Sequence, residues 1–124
     1  MSIDDLLRET SLPAVVVDHQ GVITQVNPRF EAVFGWRGDE ILGRPLSAII
    51  PKTFRDAHHL GFSRFLMTGT PTLLGRPLML PAMAKDGRVF DAEHVIFAER
   101  REGRWVFAAT IRPLDQPPLV EGRP

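Results

Sequence analysis

KDGRVFDAEHVIFAERREGRWVFAATIRPL, residues 85–114, holds two turn signals set between extended runs. Asp86-Gly87 marks a tight reversal and Arg101-Glu102-Gly103 a second, because glycine takes the backbone conformations that such turns need. Between them Val89–Glu99 reads as one long strand, and Trp105–Leu114 as the strand that follows it. On the other side, Leu73–Ala84 reads as a strand running into Asp86-Gly87. Strands joined by short turns pair antiparallel, so this part of the chain is a three-stranded meander.

Working outward, the N-terminal part adds a hairpin. Leu12–Val17 is a compact β-branched run, Asp18-His19-Gln20-Gly21 is a turn, and Val22–Val26 alternates apolar with polar. Asn27 then caps a helix, Pro28 occupies its first turn, and Phe30, Val33 and Phe34 form its buried face until Gly35 ends it. Asp39 is expected to cap a further short turn that Gly43 closes, and Pro45–Ile50 is another. A longer helix is expected from Pro51 to Gly69. Phe54, His58, Phe62 and Phe65 recur along it at spacings of four, four and three, the period of one helical face. This places His58 in an inward aromatic stripe, whereas His59 points about 100° away. Residues 1–10 read as a short N-terminal helix with Ile3, Leu6 and Leu7 on one face, and residues 115–124 as a proline-rich tail or linker. The layout is α+β: a five-stranded antiparallel sheet over residues 11–114, with helices covering one face. The space between sheet and helices is where a ligand belongs.

Composition removes several classes of function. A chain of 124 residues supports one core. Fifteen basic residues balance fifteen acidic ones, which argues against nucleic acid or an anionic membrane as partner. No apolar run approaches a membrane span and no signal peptide is visible, so a cytoplasmic location is expected. There is no cysteine, which removes thiolate metal sites and thiol nucleophiles, and no tyrosine. The histidines lack zinc-site spacing. Glu93 and His94 are adjacent in a strand and point to opposite faces, and GTPTLLG lacks the lysine of a phosphate loop. No catalytic function is expected.

Five short segments, in this order and with these gaps, resemble the PAS domain family. They are Asp18-His19-Gln20-Gly21-Val22-Ile23, Asn27-Pro28 with Phe30, Phe34-Gly35-Trp36, Glu40-Ile41-Leu42-Gly43-Arg44-Pro45, and Lys85-Asp86-Gly87-Arg88-Val89-Phe90. The resemblance implies a sensor or dimerisation module that relays its state to an effector, such as a histidine kinase, cyclase or phosphatase, without catalysis of its own. It also implies a homodimer through the outer face of the last strand, with Trp105, Phe107 and Ala109 as its residues.

Phe54-Arg55-Asp56-Ala57-His58, followed by Ser63-Arg64-Phe65, is similar to the helix of haem-binding PAS domains in rhizobial oxygen-sensing histidine kinases. By that resemblance His58 is the iron ligand and Arg64 meets a haem propionate. The distal arginine of those sensors falls on Leu78, and the distal methionine of related ones on Arg76. The implied pocket is apolar: Phe62, Leu73, Leu78, Met79, Leu80 and Ile96. A flavin–cysteinyl adduct and p-coumarate are excluded, because both need a cysteine. Haem, non-covalent FAD, an apolar ligand such as a fatty acid, and a cofactor-free scaffold all remain open.

Overall fold

The structure, a computed structural model, describes residues 3–8, 11–55 and 77–114. Strands β1 (Ala14–Val17) and β2 (Ile23–Val26) form the first hairpin. Strands β3 (Leu78–Met83), β4 (Val89–Arg101) and β5 (Arg104–Pro113) form the meander. All pairings are antiparallel and the order is β2-β1-β5-β4-β3, so the first and last strands of the chain lie side by side mid-sheet. This is the expected five-stranded sheet.

Every residue of β1 is buried, which explains the unbroken run Ala14-Val15-Val16-Val17 where an alternating strand might be looked for. Its two parities meet different partners. Val15 and Val17 join Ile23, Phe30, Phe34, Phe90 and Ile111 in the main core on the inner face. Val16 and Ala108 lie on the outer face beneath helix α1 (Ile3–Leu7), whose Ile3 and Leu6 cover them. The expected N-terminal helix therefore packs on its own domain, on the face opposite the other helices. Polar contacts fasten it there: Ile3 N–H donates to Glu99 Oε1 (3.2 Å), and Arg101 pairs with both Glu99 (2.6 Å) and Asp4 (3.4 Å). Arg101, and then the Ile3 N–H, hold the Glu99 carboxyl below its ordinary pKa.

On the inner face, helix α2 (Pro28–Phe34) starts at Asn27 and stops at Gly35, as expected. Asn27 is 2 % exposed and does more than cap. Its Oδ1 accepts from Phe30 N–H (2.9 Å) and from Ala14 N–H (2.9 Å), while Nδ2 donates to Leu12 O (2.8 Å). Gly35 takes φ 78°, the left-handed conformation that ends a helix at little cost only for glycine. Helix α3 (Gly38–Ile41) corrects one expectation: Asp39 is not its cap. Arg37 precedes the helix, its N–H donates to Glu40 Oε1 (3.0 Å), and Asp39 pairs with the Arg37 guanidinium instead (2.8 Å).

Two 3₁₀ turns follow, Leu46–Ile49 and Lys52–Phe54. Phe54 is 40 % exposed, so it does not begin the inward stripe expected of it. The chain there turns with about three residues per turn, and a phase counted at 3.6 does not apply. The remainder of the expected longer helix, and the expected start of the third strand at Leu73, lie outside the described residues.

Candidate functional site

Residues directly opposite in an antiparallel pair share a face, so the register sorts the pocket residues. Leu78 faces His94, which faces Ile111; Leu80 faces Ala92; Ala82 faces Phe90; and Ile96 faces Ala109, which faces Val15. Phe90, Ala92, Ile111 and Val15 belong to the main core, so Leu78, Leu80, His94 and Ile96 also lie on the inner face. Along β3 the cover changes. Ala82 and Ala92 are fully buried, and Phe90 packs edge-on against Phe34 (5.4 Å), but Leu80 is 40 % exposed. The inner face thus has a closed end under α2 and a less covered apolar end at Leu78 and Leu80.

Two expectations are corrected by strand parity. Met79 is opposite Glu93, points to the outer face and is 62 % exposed, so it is not part of an inner pocket with Leu78 and Leu80. Trp105, Phe107 and Ala109 share the inner parity of β5: Phe107 is buried in the main core, and Trp105 and Ala109 pack against it. They therefore do not form an outward association surface. The outward positions of β5 include Val106 and Ala108, which pack under α1. His58, Phe62, Arg64 and Leu73 lie outside the described residues.

His94 was not singled out as a pocket residue, although its parity with Phe90, Ala92 and Ile96 pointed to the inner face. It is 6 % exposed, and its Nε2 lies 3.1 Å from Leu80 O. A carbonyl oxygen only accepts, so Nε2 carries the hydrogen and Nδ1 is the bare nitrogen of the neutral ring. Burial pushes the imidazole below its ordinary pKa of 6.5, more strongly than the Leu80 carbonyl raises it. Below 6.5 the unfolded chain takes up a proton that the folded ring resists. The stability this group contributes is therefore present above 6.5 and is lost as pH falls through the depressed folded value. Thermal melts from pH 6.5 downward are expected to show a steeper loss in the parent than in His94→Leu. Parallel losses would mean that the ring titrates as if in water.

Other surface features are separate from this face. Shallow grooves of about 310 and 400 Å³ lie beside β2 and beside the β3–β4 turn, and neither includes Leu78, Leu80, His94 or Ile96. Trp36 is flanked by Arg44 (4.9 Å) and Lys85 (5.5 Å), and Lys85 in turn pairs with Glu40 (2.8 Å). Among the described residues no cluster of three His, Asp or Glu is placed to hold a metal ion, and no helix is long and apolar enough to cross a membrane.

The family model described as the PAS fold matches residues 7–92, and the chain belongs to that family. It is 38% identical over 110 residues to an uncharacterised protein of Azorhizobium caulinodans, covering 87% of this chain and 15% of that protein. It is 25% identical over 109 residues to the sensor protein FixL of Bradyrhizobium diazoefficiens, covering 88% of this chain and 22% of FixL. The chain thus spans less than a quarter of the length of these relatives. Among solved structures, the PAS domain of an HTR-like protein from Haloarcula marismortui superposes with a TM-score of 0.68 at 23% identity, over 90% of this chain and 88% of that one. A PAS domain from Desulfitobacterium hafniense superposes with a TM-score of 0.71 at 14% identity, over 89% and 99%. The chain is a PAS sensor module.

Proposed function

We propose that this module takes up a small apolar ligand or cofactor on the inner face at Leu78, Leu80 and Ile96, and relays its state to an effector domain or protein partner. The observation that carries the reading is the change in cover along one sheet face, from fully buried Ala82 and Ala92 to Leu80 at 40 % exposure. An apolar side chain held partly open beside a buried, neutral imidazole is the composition of a binding site. Relay runs through the outer face, where α1 is fastened to the end of β4 by Asp4, Glu99 and Arg101. The same face is the place for a second copy in a homodimer. A cytoplasmic location suits such a module.

Haem is the sharpest form of this reading. It is favoured by the similarity to FixL, named a sensor protein, and to the oxygen sensor protein DosP of Escherichia coli, at 23% identity. The described residues fit it in one respect: Leu78, Leu80 and Ile96 offer the apolar wall that a porphyrin plane needs. His58 would hold the iron and Arg64 would meet a propionate. The bound group would supply gas or redox chemistry, and this chain's residues would bind it, orient it and exclude water.

The test is the absorption spectrum of the purified protein before and after hemin, beside His58→Ala, with the mass measured by sedimentation equilibrium. A sharp Soret band that vanishes in His58→Ala is the expected result for a haem sensor. No band with a monomeric apoprotein that retains an extractable apolar molecule supports the general ligand reading. No band, no extractable molecule and a stable dimer would overturn ligand sensing in favour of a cofactor-free scaffold.

A further inference from the structure

We propose that His94 is the polar reading group of the inner face, and that it selects ligands that are mostly apolar but carry one O–H or N–H donor. This rests on the ligand-binding reading above and specifies the chemistry of the ligand. The geometry begins with the register. His94 sits in one row with Leu78 and Ile111, and the rows on either side hold Leu80 and Ala92, and Ile96 and Ala109. Every side chain around it on the sheet is apolar, so the imidazole is the single polar group among these described residues. Its orientation is set from the neighbouring strand, because the Leu80 carbonyl takes the Nε2–H (3.1 Å). That bond leaves Nδ1 as a lone pair on the inner face, and no described residue donates to it.

Nδ1 is not sealed off without a partner, as Trp36 Nε1 is, so solvent reaches it until a ligand covers it. A covered acceptor without a donor is unfavourable, and proteins supply such groups with partners. Here the donor comes from the ligand. Burial, which disfavours the imidazolium, keeps the ring an acceptor rather than a cation. The described residues of this face therefore offer no charge with which to hold an anionic head group. It suits a flat or branched hydrocarbon body with a hydroxyl or ring N–H directed at His94. A ligand of the same shape without the donor would bury Nδ1 unpaired, and the discrimination comes from that loss.

The experiment compares 1-naphthol with 1-methoxynaphthalene, which keeps the ring system and lacks the donor. Binding of each is measured by calorimetry on the parent and on His94→Leu, and the parent's imidazole nitrogens are followed by two-bond ¹⁵N–¹H correlation. The expected result is about tenfold or greater preference for 1-naphthol in the parent, abolished in His94→Leu. The Nδ1 resonance should be pyridine-like in the free protein and shift when 1-naphthol is added. Equal binding of the two probes, a preference that survives in His94→Leu, or a proton on Nδ1 would overturn the role of His94 while leaving the pocket intact. Binding of neither probe would overturn the pocket reading and the proposal with it. The probe pair and the spectrum need only the parent protein, so a misfolded variant does not rescue the idea.

Discussion

Replacing Asn27 with alanine is expected to cost about 3 kcal/mol of folding stability, well beyond the roughly 1 kcal/mol of an ordinary helix cap. The cap is only one of its tasks. Alanine would leave Phe30 N–H without its Oδ1 acceptor at the start of α2, but it would also strand Ala14 N–H and Leu12 O, at the entry to β1. Asn27 is almost fully buried, so water does not readily replace the lost partners. Asn27→Asp separates the contributions. It keeps the acceptor for Phe30 and Ala14, loses the donor to Leu12 O, and sets a carboxylate against that carbonyl. Urea titrations should rank the parent above Asn27→Asp, and Asn27→Asp above Asn27→Ala. If Asn27→Ala cost no more than a surface cap, the link between α2 and the central strand would be energetically minor.

Asn27 also shows what could be read from the chain and what could not. Asn-Pro before Phe30 announced a capped helix, and Asp18 through Gly21 announced the turn, because both are local. Gly21 takes φ 79° and Asp18 Oδ1 accepts from Gln20 N–H (2.8 Å) and Val22 N–H (3.0 Å), as such a turn requires. The bonds from Asn27 to Ala14 and Leu12 are tertiary, and nothing local encodes them.

Strand parity failed for a different reason. In Trp105-Val106-Phe107-Ala108-Ala109 both parities are apolar, since the helices and core cover one face and α1 the other. Alternation then reveals two sets without saying which is inward. The same ambiguity put Met79 in the pocket with Leu78 and Leu80. His94 was legible in parity but not in role: its partner is a carbonyl of the neighbouring strand, 14 residues away. Phe54 failed because a helical period was extended across a 3₁₀ turn.

The largest loss of stability is expected from Phe34→Ala, at about 3–5 kcal/mol, a large share of the 5–15 kcal/mol typical of a domain. Phe34 is fully buried, stacks on Phe30 (4.3 Å) and meets Phe90 edge-on (5.4 Å), while its carbonyl accepts from Lys85 N–H (2.9 Å). Truncation removes both ring contacts and leaves a cavity where α2 closes the sheet. Phe34→Leu refills part of it and should lose roughly 1–2 kcal/mol. Leu80→Ala sets the contrast on the same inner face. Leu80 is 40 % exposed, so the substitution should cost under about 1 kcal/mol, yet it removes apolar wall beside His94. Chemical denaturation and 1-naphthol titration of both variants separate the two ends. Phe34→Leu should lower stability with affinity nearly retained, and Leu80→Ala should weaken affinity with stability nearly retained. Were Leu80→Ala as destabilising as Phe34→Leu, that end of the sheet would be a packed core, and the ligand would have to be sought elsewhere.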